Sequence, residues 1–96
     1  MATLRFQFDS YQFSDHAIQE MARRQIADRD AIAVLANPGQ VEVVRVGRIV
    51  MQSRIFMGDP PALYLLRVFV DIDVQPPVVV TVYRTSKIAK YWKVIE

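Results

Sequence analysis

Three arginines and a tyrosine in the second half of the chain, Arg54, Arg67, Tyr83 and Arg84, hold its best candidate chemistry. A guanidinium stays charged and grips carboxylate or phosphate oxygens, while a phenol can give or take a proton. The single histidine, His16, lies in the stretch S-D-H-A-I-Q-E-M-A-R-R at 14–24. As a neutral imidazole it could act as a base. It has no cysteine or second histidine to complete a metal site and no recognisable triad serine, so neither metal nor cofactor is expected.

Whether those side chains can meet depends on the elements that carry them. The segments at 40–46, 48–57, 63–71 and 78–85 are rich in valine, isoleucine and aromatics and are separated by Gly47, G-D-P-P-A and D-V-Q-P-P. They predict four strands, antiparallel because the connections are short. Alternation puts Ile49, Met51, Ile55 and Met57 on one face and Val50, Gln52, Arg54 and Phe56 on the other. In the next strand Tyr64, Leu66, Val68 and Val70 oppose Leu63, Leu65, Arg67 and Phe69. If Val78, Val80 and Val82 face the core, Tyr83 joins Arg54 and Arg67 on the second face, with Arg84 at the strand end.

Before the strands the period changes. Ala17, Ile18, Met21 and Ala22 share one side of a helix that Ser14 can cap, with Asp15 at its positive end and Phe13 placed to staple onto Ile18. That accounts for His16 as part of a helix start beside Glu20, which can also pair with Arg24. A second helix is expected from about Asp28, as its cap, to Asn37-Pro38-Gly39. Leu4, Phe6 and Phe8 alternate as a short edge strand, and Ser86 can cap a short terminal helix carrying Ile88, Trp92 and Ile95. The expected fold is α+β: a helical hairpin on a twisted, mainly antiparallel four-stranded sheet, in one domain over 1–96. One hairpin covers one sheet face. The other must meet the terminal helix, a second copy or another protein.

The chain has 96 residues, 52% of them hydrophobic and 23% charged, which excludes a disordered linker. Nine arginines against three lysines, at a net charge of +2, lean mildly towards phosphate or an acidic partner. No apolar run approaches the ~20 residues of a membrane span, and the start lacks a signal-peptide core. A soluble cytoplasmic protein without membrane contact is expected.

F-S-D-H-A-I-Q-E-M-A-R-R-Q-I, the N-P stop and V-V-V-T-V-Y-R-T together resemble a small prokaryotic family of uncharacterised domains with an H-A-x-x-x-M-x-x-R-x-I signature. That family is usually grouped with the RelE/ParE toxin superfamily. The resemblance implies a toxin component held by an antitoxin protein and acting on RNA at the ribosome or, in the ParE branch, on gyrase. For a RelE-like ribonuclease it implies basic and tyrosine side chains on the open sheet face and near the last strand and helix, where Arg54, Arg67, Tyr83, Arg84, Lys87 and Tyr91 stand.

Metal-independent RNA cleavage needs a base for the 2′-hydroxyl, a cation for the phosphorane and an acid for the leaving oxygen. Arginine suits the second role, and His16, Tyr83, Tyr91 or a lysine the others. Arg24, Arg48, Lys87, Lys90 and Tyr91 are candidate RNA contacts, by phosphate pairing and base stacking. The competing expectation is a non-catalytic module whose apolar sheet face dimerises or docks a partner.

Overall fold

Ser14 turns the chain from strand to helix. In the computed structural model, which describes residues 8–94, its hydroxyl accepts the Ala17 N–H at 3.0 Å and donates to the Val80 carbonyl at 3.4 Å. The first bond satisfies one of the orphan amides of a helix start. The second, with the Ser14 N–H on the Val79 carbonyl at 2.9 Å, ties that start to a distant strand.

The element order is β1 (Gln12–Phe13), α1 (Asp15–Arg23), α2 (Asp28–Ala36), β2 (Gln40–Arg45), β3 (Arg48–Met57), β4 (Ala62–Asp71), β5 (Val78–Thr85) and α3 (Ile88–Tyr91). The protein is α+β, with a mixed five-stranded sheet in the order β1-β5-β4-β3-β2. Four strands are antiparallel as the sequence predicts. The fifth, β1, runs parallel to β5 over two residues. The edge strand expected over 4–8 lies outside the described residues except for Phe8, which is not in a strand.

The two N-terminal helices share one face of the sheet without forming a closely packed hairpin. α1 lies on β5, and α2 on β3 and β4. Each spends its apolar stripe on the sheet: Ala17 and Met21 from α1, and Ala31, Val34 and Leu35 from α2, meet Ile49, Met51, Leu66, Val68, Val70, Val79 and Val82. Because α1 rests chiefly on one strand, its buried strip is narrow, and Ile18 remains 53% exposed. The cap of α2 is Ala27, without a side-chain bond; Asp28 is instead the first helical residue, where it and Asp30 favour the helix dipole. Similarly, α3 is capped by Lys87 and not by Ser86. Among the described residues, no helix is long and apolar enough to cross a membrane.

The parity expected for β5 is wrong at one point. Val70 pairs with Val79 but Phe69 pairs with Thr81, so Val80 is an extra residue and Val79, not Val78 or Val80, enters the core with Val82. Beyond that bulge Tyr83 faces away from the helices, as Arg67 does.

Ser14→Ala should lower unfolding free energy by about 1 kcal/mol, as loss of a helix cap does, whereas Ser14→Thr should keep most of it. Urea unfolding followed by circular dichroism measures both.

Candidate functional site

On the face of the sheet away from α1 and α2, one polar row crosses four strands. Gln40 of β2 lies opposite Gln52 of β3, Gln52 opposite Arg67 of β4, and Arg67 opposite Tyr83 of β5. Direct cross-strand neighbours share a face and nearly touch. Here they bond in series: Arg67 Nη1 donates to the Tyr83 hydroxyl at 2.7 Å, Arg67 Nε donates to Gln52 Oε1 at 2.9 Å, and Gln52 Nε2 donates to Gln40 Oε1 at 3.0 Å.

Burial makes this row consequential. Gln52 is fully buried and Arg67 only 8% exposed, yet Arg67 has no carboxylate partner among the described residues. A buried charge without a counter-ion is costly. Aromatic faces offset part of that cost: the guanidinium carbon lies 4.1 Å from the Tyr91 ring centroid, 5.2 Å from Phe69 and 5.7 Å from Tyr83. Phe69 and Tyr83 stack on each other at 5.9 Å. Rings and neutral acceptors leave the net charge in place. Nη2 donates to no described residue.

The C-terminal segment closes over the row. Gln40 reads the main chain of Lys93 twice, accepting its N–H at 3.1 Å and donating to its carbonyl at 2.6 Å, while Gln52 Nε2 also donates to the Tyr91 carbonyl at 3.2 Å. These bonds lay Tyr91 on Arg67 and Trp92 on Arg54, whose guanidinium carbon is 4.4 Å from the indole ring. Trp92 in turn needs a glycine beneath it, since a β-carbon on Gly39 would stand 2.8 Å from the ring.

Tyr91 is the electrostatically perturbed group of the cluster. A hydrogen bond from Lys90, another involving Tyr83, and the charges of Lys90 and Arg67 hold its hydroxyl below the ordinary tyrosine range, against the opposing effect of burial. A phenol with a lowered pKa beside a guanidinium and an ammonium has the chemistry of a proton-transfer group.

The remaining predicted residues are dispersed. Arg24 reaches round the open edge of β5, donating to the Val82 carbonyl at 3.1 Å and pairing with Glu20 at 2.8 Å, which brings its guanidinium carbon 6.0 Å from the Tyr83 ring. Arg84 faces the helices, because neighbours along a strand point oppositely. It donates to the Arg24 carbonyl at 2.8 Å, lies over Tyr64 at 5.5 Å, and lines an open cleft with Gln25, Arg29 and Phe56. His16 is exposed in the first turn of α1, about 12 Å along the helix axis from Arg24. The Glu20 carboxyl, one turn on, is held below its ordinary value by the Arg23 hydrogen bond first and then by the charges of Arg23 and Arg24, against the opposing effect of burial. Arg48 shares the site's face but lies four residues along β3 from Gln52, roughly 13 Å away. It is committed to Asp71 through bonds of 2.6 and 3.1 Å. Lys87 is exposed beyond the end of β5.

Sequence reasoning passed over Gln40, Gln52 and Phe69. The available signal was Gln52, an amide inside the apolar run R-I-V-M-Q, on a face that already carried Arg67. Among the described residues, no three histidine, aspartate or glutamate side chains gather to hold a metal.

The fold and the row together define a small α+β domain with a cationic, tyrosine-lined sheet face. The sequence profile of a domain of unknown function, DUF4258, matches residues 13–84, and the chain belongs to that family. No curated protein and no solved structure matches it significantly. The matched span contains Gln40, Gln52, Arg67 and Tyr83 and ends before Tyr91 and Trp92.

Two measurements test these assignments. In a tyrosinate absorbance titration, Tyr91→Phe should remove an ionisation that begins below the ordinary tyrosine range, and Lys90→Met should move it upward; an onset untouched by both would contradict the cluster. The Arg48 hydrogen bond and charge, with a contribution from Arg45, hold Asp71 below its ordinary pKa against burial. A depressed carboxyl stabilises the fold above its unfolded pKa, and this contribution disappears as pH falls through the folded value. The gap in urea midpoint between the parent and Asp71→Asn should therefore narrow from about pH 6 to about pH 3.

Proposed function

We propose that this protein is a toxin component of RelE/ParE type that cleaves RNA, with Arg67, Tyr83, Tyr91 and Lys90 as its working groups. The observation that carries this reading is the buried Arg67 guanidinium, without a carboxylate among the described residues and lying against a phenol of lowered pKa. A structural arginine is ordinarily neutralised within the fold. This one keeps its charge for something that arrives.

In this mechanism the scissile phosphodiester binds the free edge of Arg67, which stabilises the growing charge on its oxygens. Ionised Tyr91 takes the proton from the 2′-hydroxyl, and that oxygen attacks phosphorus. The bond to the 5′-oxygen breaks as Lys90 donates a proton to it. A 2′,3′-cyclic phosphate and a free 5′-hydroxyl result, and Tyr91 and Lys90 exchange their protons back through water. Tyr83 orients Arg67 and the Tyr91 hydroxyl. Arg54, stacked on Trp92, and Arg24, beside Tyr83, extend the positive track for the RNA backbone.

The second reading is a non-catalytic docking module. It is favoured by Phe56 and Leu63, cross-strand partners at the far end of the same face, 74% and 40% exposed. An antitoxin-like protein could seat on that pair under either reading.

Controlled expression followed by mapping of cellular RNA ends tests the proposal. The parent should arrest growth and generate new ends carrying 5′-hydroxyls. Tyr91→Phe, which keeps the ring over Arg67, should slow cleavage by roughly a hundredfold or more, while His16→Ala should cleave like the parent. No arrest, or arrest with DNA damage and intact RNA, would falsify the RNA reading; a Tyr91→Phe variant of full activity would remove the phenol from the mechanism.

A further inference from the structure

The sheet's open flank is β2. It ends the sheet opposite β1, and among the described residues its outer side makes no backbone hydrogen bond. Exposed edges recruit further strands unless charge, proline or distortion blunts them. This edge is apolar: Val43 is 64% exposed and Val44 48%, with Val46, 92% exposed, in the turn that follows.

Its charges have an unusual placement. Glu42 pairs with Val50 of β3 and Arg45 with Arg48, and the ladder slips by one residue between Val43 and Arg45. Val50 and Arg48 share a face, so Glu42 and Arg45 share it too. Residues three apart in a regular strand point to opposite faces. The bulge at Val44 therefore places an acid and a base on one side of the edge, with two valines between them.

We propose that this edge pairs with the same edge of a second copy, antiparallel, about a two-fold axis between Val43 and Val44. In that register each Glu42 lies opposite Arg45 of the other copy, and each Val43 opposite Val44. The neighbouring registers are worse. Centring on Glu42 or on Arg45 sets like charges against each other, which is destabilising. Centring on Val43 sets Val41 against Arg45, which the bulge has turned to the other face. One register thus satisfies charge and facing together. Neither charge is firmly engaged within its own copy: Glu42 meets the exposed Lys93 ammonium at 3.8 Å, and Arg45 donates only to the adjacent Val46 carbonyl at 3.0 Å. A two-fold pairing of this kind closes at the dimer and uses up the edge. The contact is small, so the dimer is weak and forms only at high protein concentration. It does not depend on the RNA reading.

Sedimentation velocity over a range of concentrations decides the matter. The parent should pass from monomer to dimer, and Val44→Lys should abolish the dimer. Glu42→Arg alone, or Arg45→Glu alone, should raise its Kd roughly tenfold, and the double exchange should bring it back towards the parent value. Circular dichroism verifies each variant's fold; should one single exchange misfold, the double exchange and Val44→Lys still give the answer. A parent that stays monomeric to several hundred micromolar (roughly the limit for a specific contact of this size), a dimer indifferent to these substitutions, or a double exchange no better than the singles overturns the proposal.

Discussion

A positive charge held inside the fold by neutral groups is the constraint around which this molecule is arranged. Arg67 could not remain 8% exposed on bare apolar surface. It needs Gln52 and Tyr83 as acceptors on its two neighbouring strands and rings stacked on its faces. Gln52 in turn, fully buried, needs Gln40 and a tail carbonyl to use its own amide hydrogens. The C-terminal segment therefore docks where it does because a buried amide two strands away requires it. Removing any one member leaves another unsatisfied in a place that water reaches poorly.

Much of this was legible in the strand periodicity. Alternation alone placed Gln52, Arg54, Arg67 and Phe69 on one face, and the need to cover that face pointed to the terminal segment. Alternation does not say which residue lies directly opposite which, however, and the row exists only through register. Register depends on turn geometry and bulges. The extra residue at Val80 overturned the assignment of Val78 and Val80 to the core while leaving Tyr83 on the expected side, because Val82 stays in the core.

The arginines show the same limit. Sequence position makes Tyr83 and Arg84 neighbours, but the pleat sends them to opposite layers: Tyr83 to Arg67, Arg84 to the last carbonyls of α1. Arg48 looked available in the sequence and is occupied by Asp71, 23 residues on, because antiparallel pairing of β3 with β4 sets them face to face. His16 belongs to a helix start whose cap, Ser14, is the residue under tertiary constraint. Tyr91 is a plausible RNA contact from its residue type, but its lowered pKa comes from groups on three elements, α3, β4 and β5, that only the docked tail brings together.

The grip of Gln40 on the tail has a consequence for how this protein can vary. Both of its bonds are to the main chain of Lys93, one to the N–H and one to the carbonyl. The identity of the side chain there is invisible to it. Relatives sharing this architecture can carry almost any residue at the equivalent position without loosening the tail, with proline the exception, because it has no N–H to offer. Gln40 and Gln52 have no such freedom, since no other side chain offers a donor and an acceptor at the same reach. Drift in the tail and constancy in the two glutamines would be the evolutionary signature of this contact.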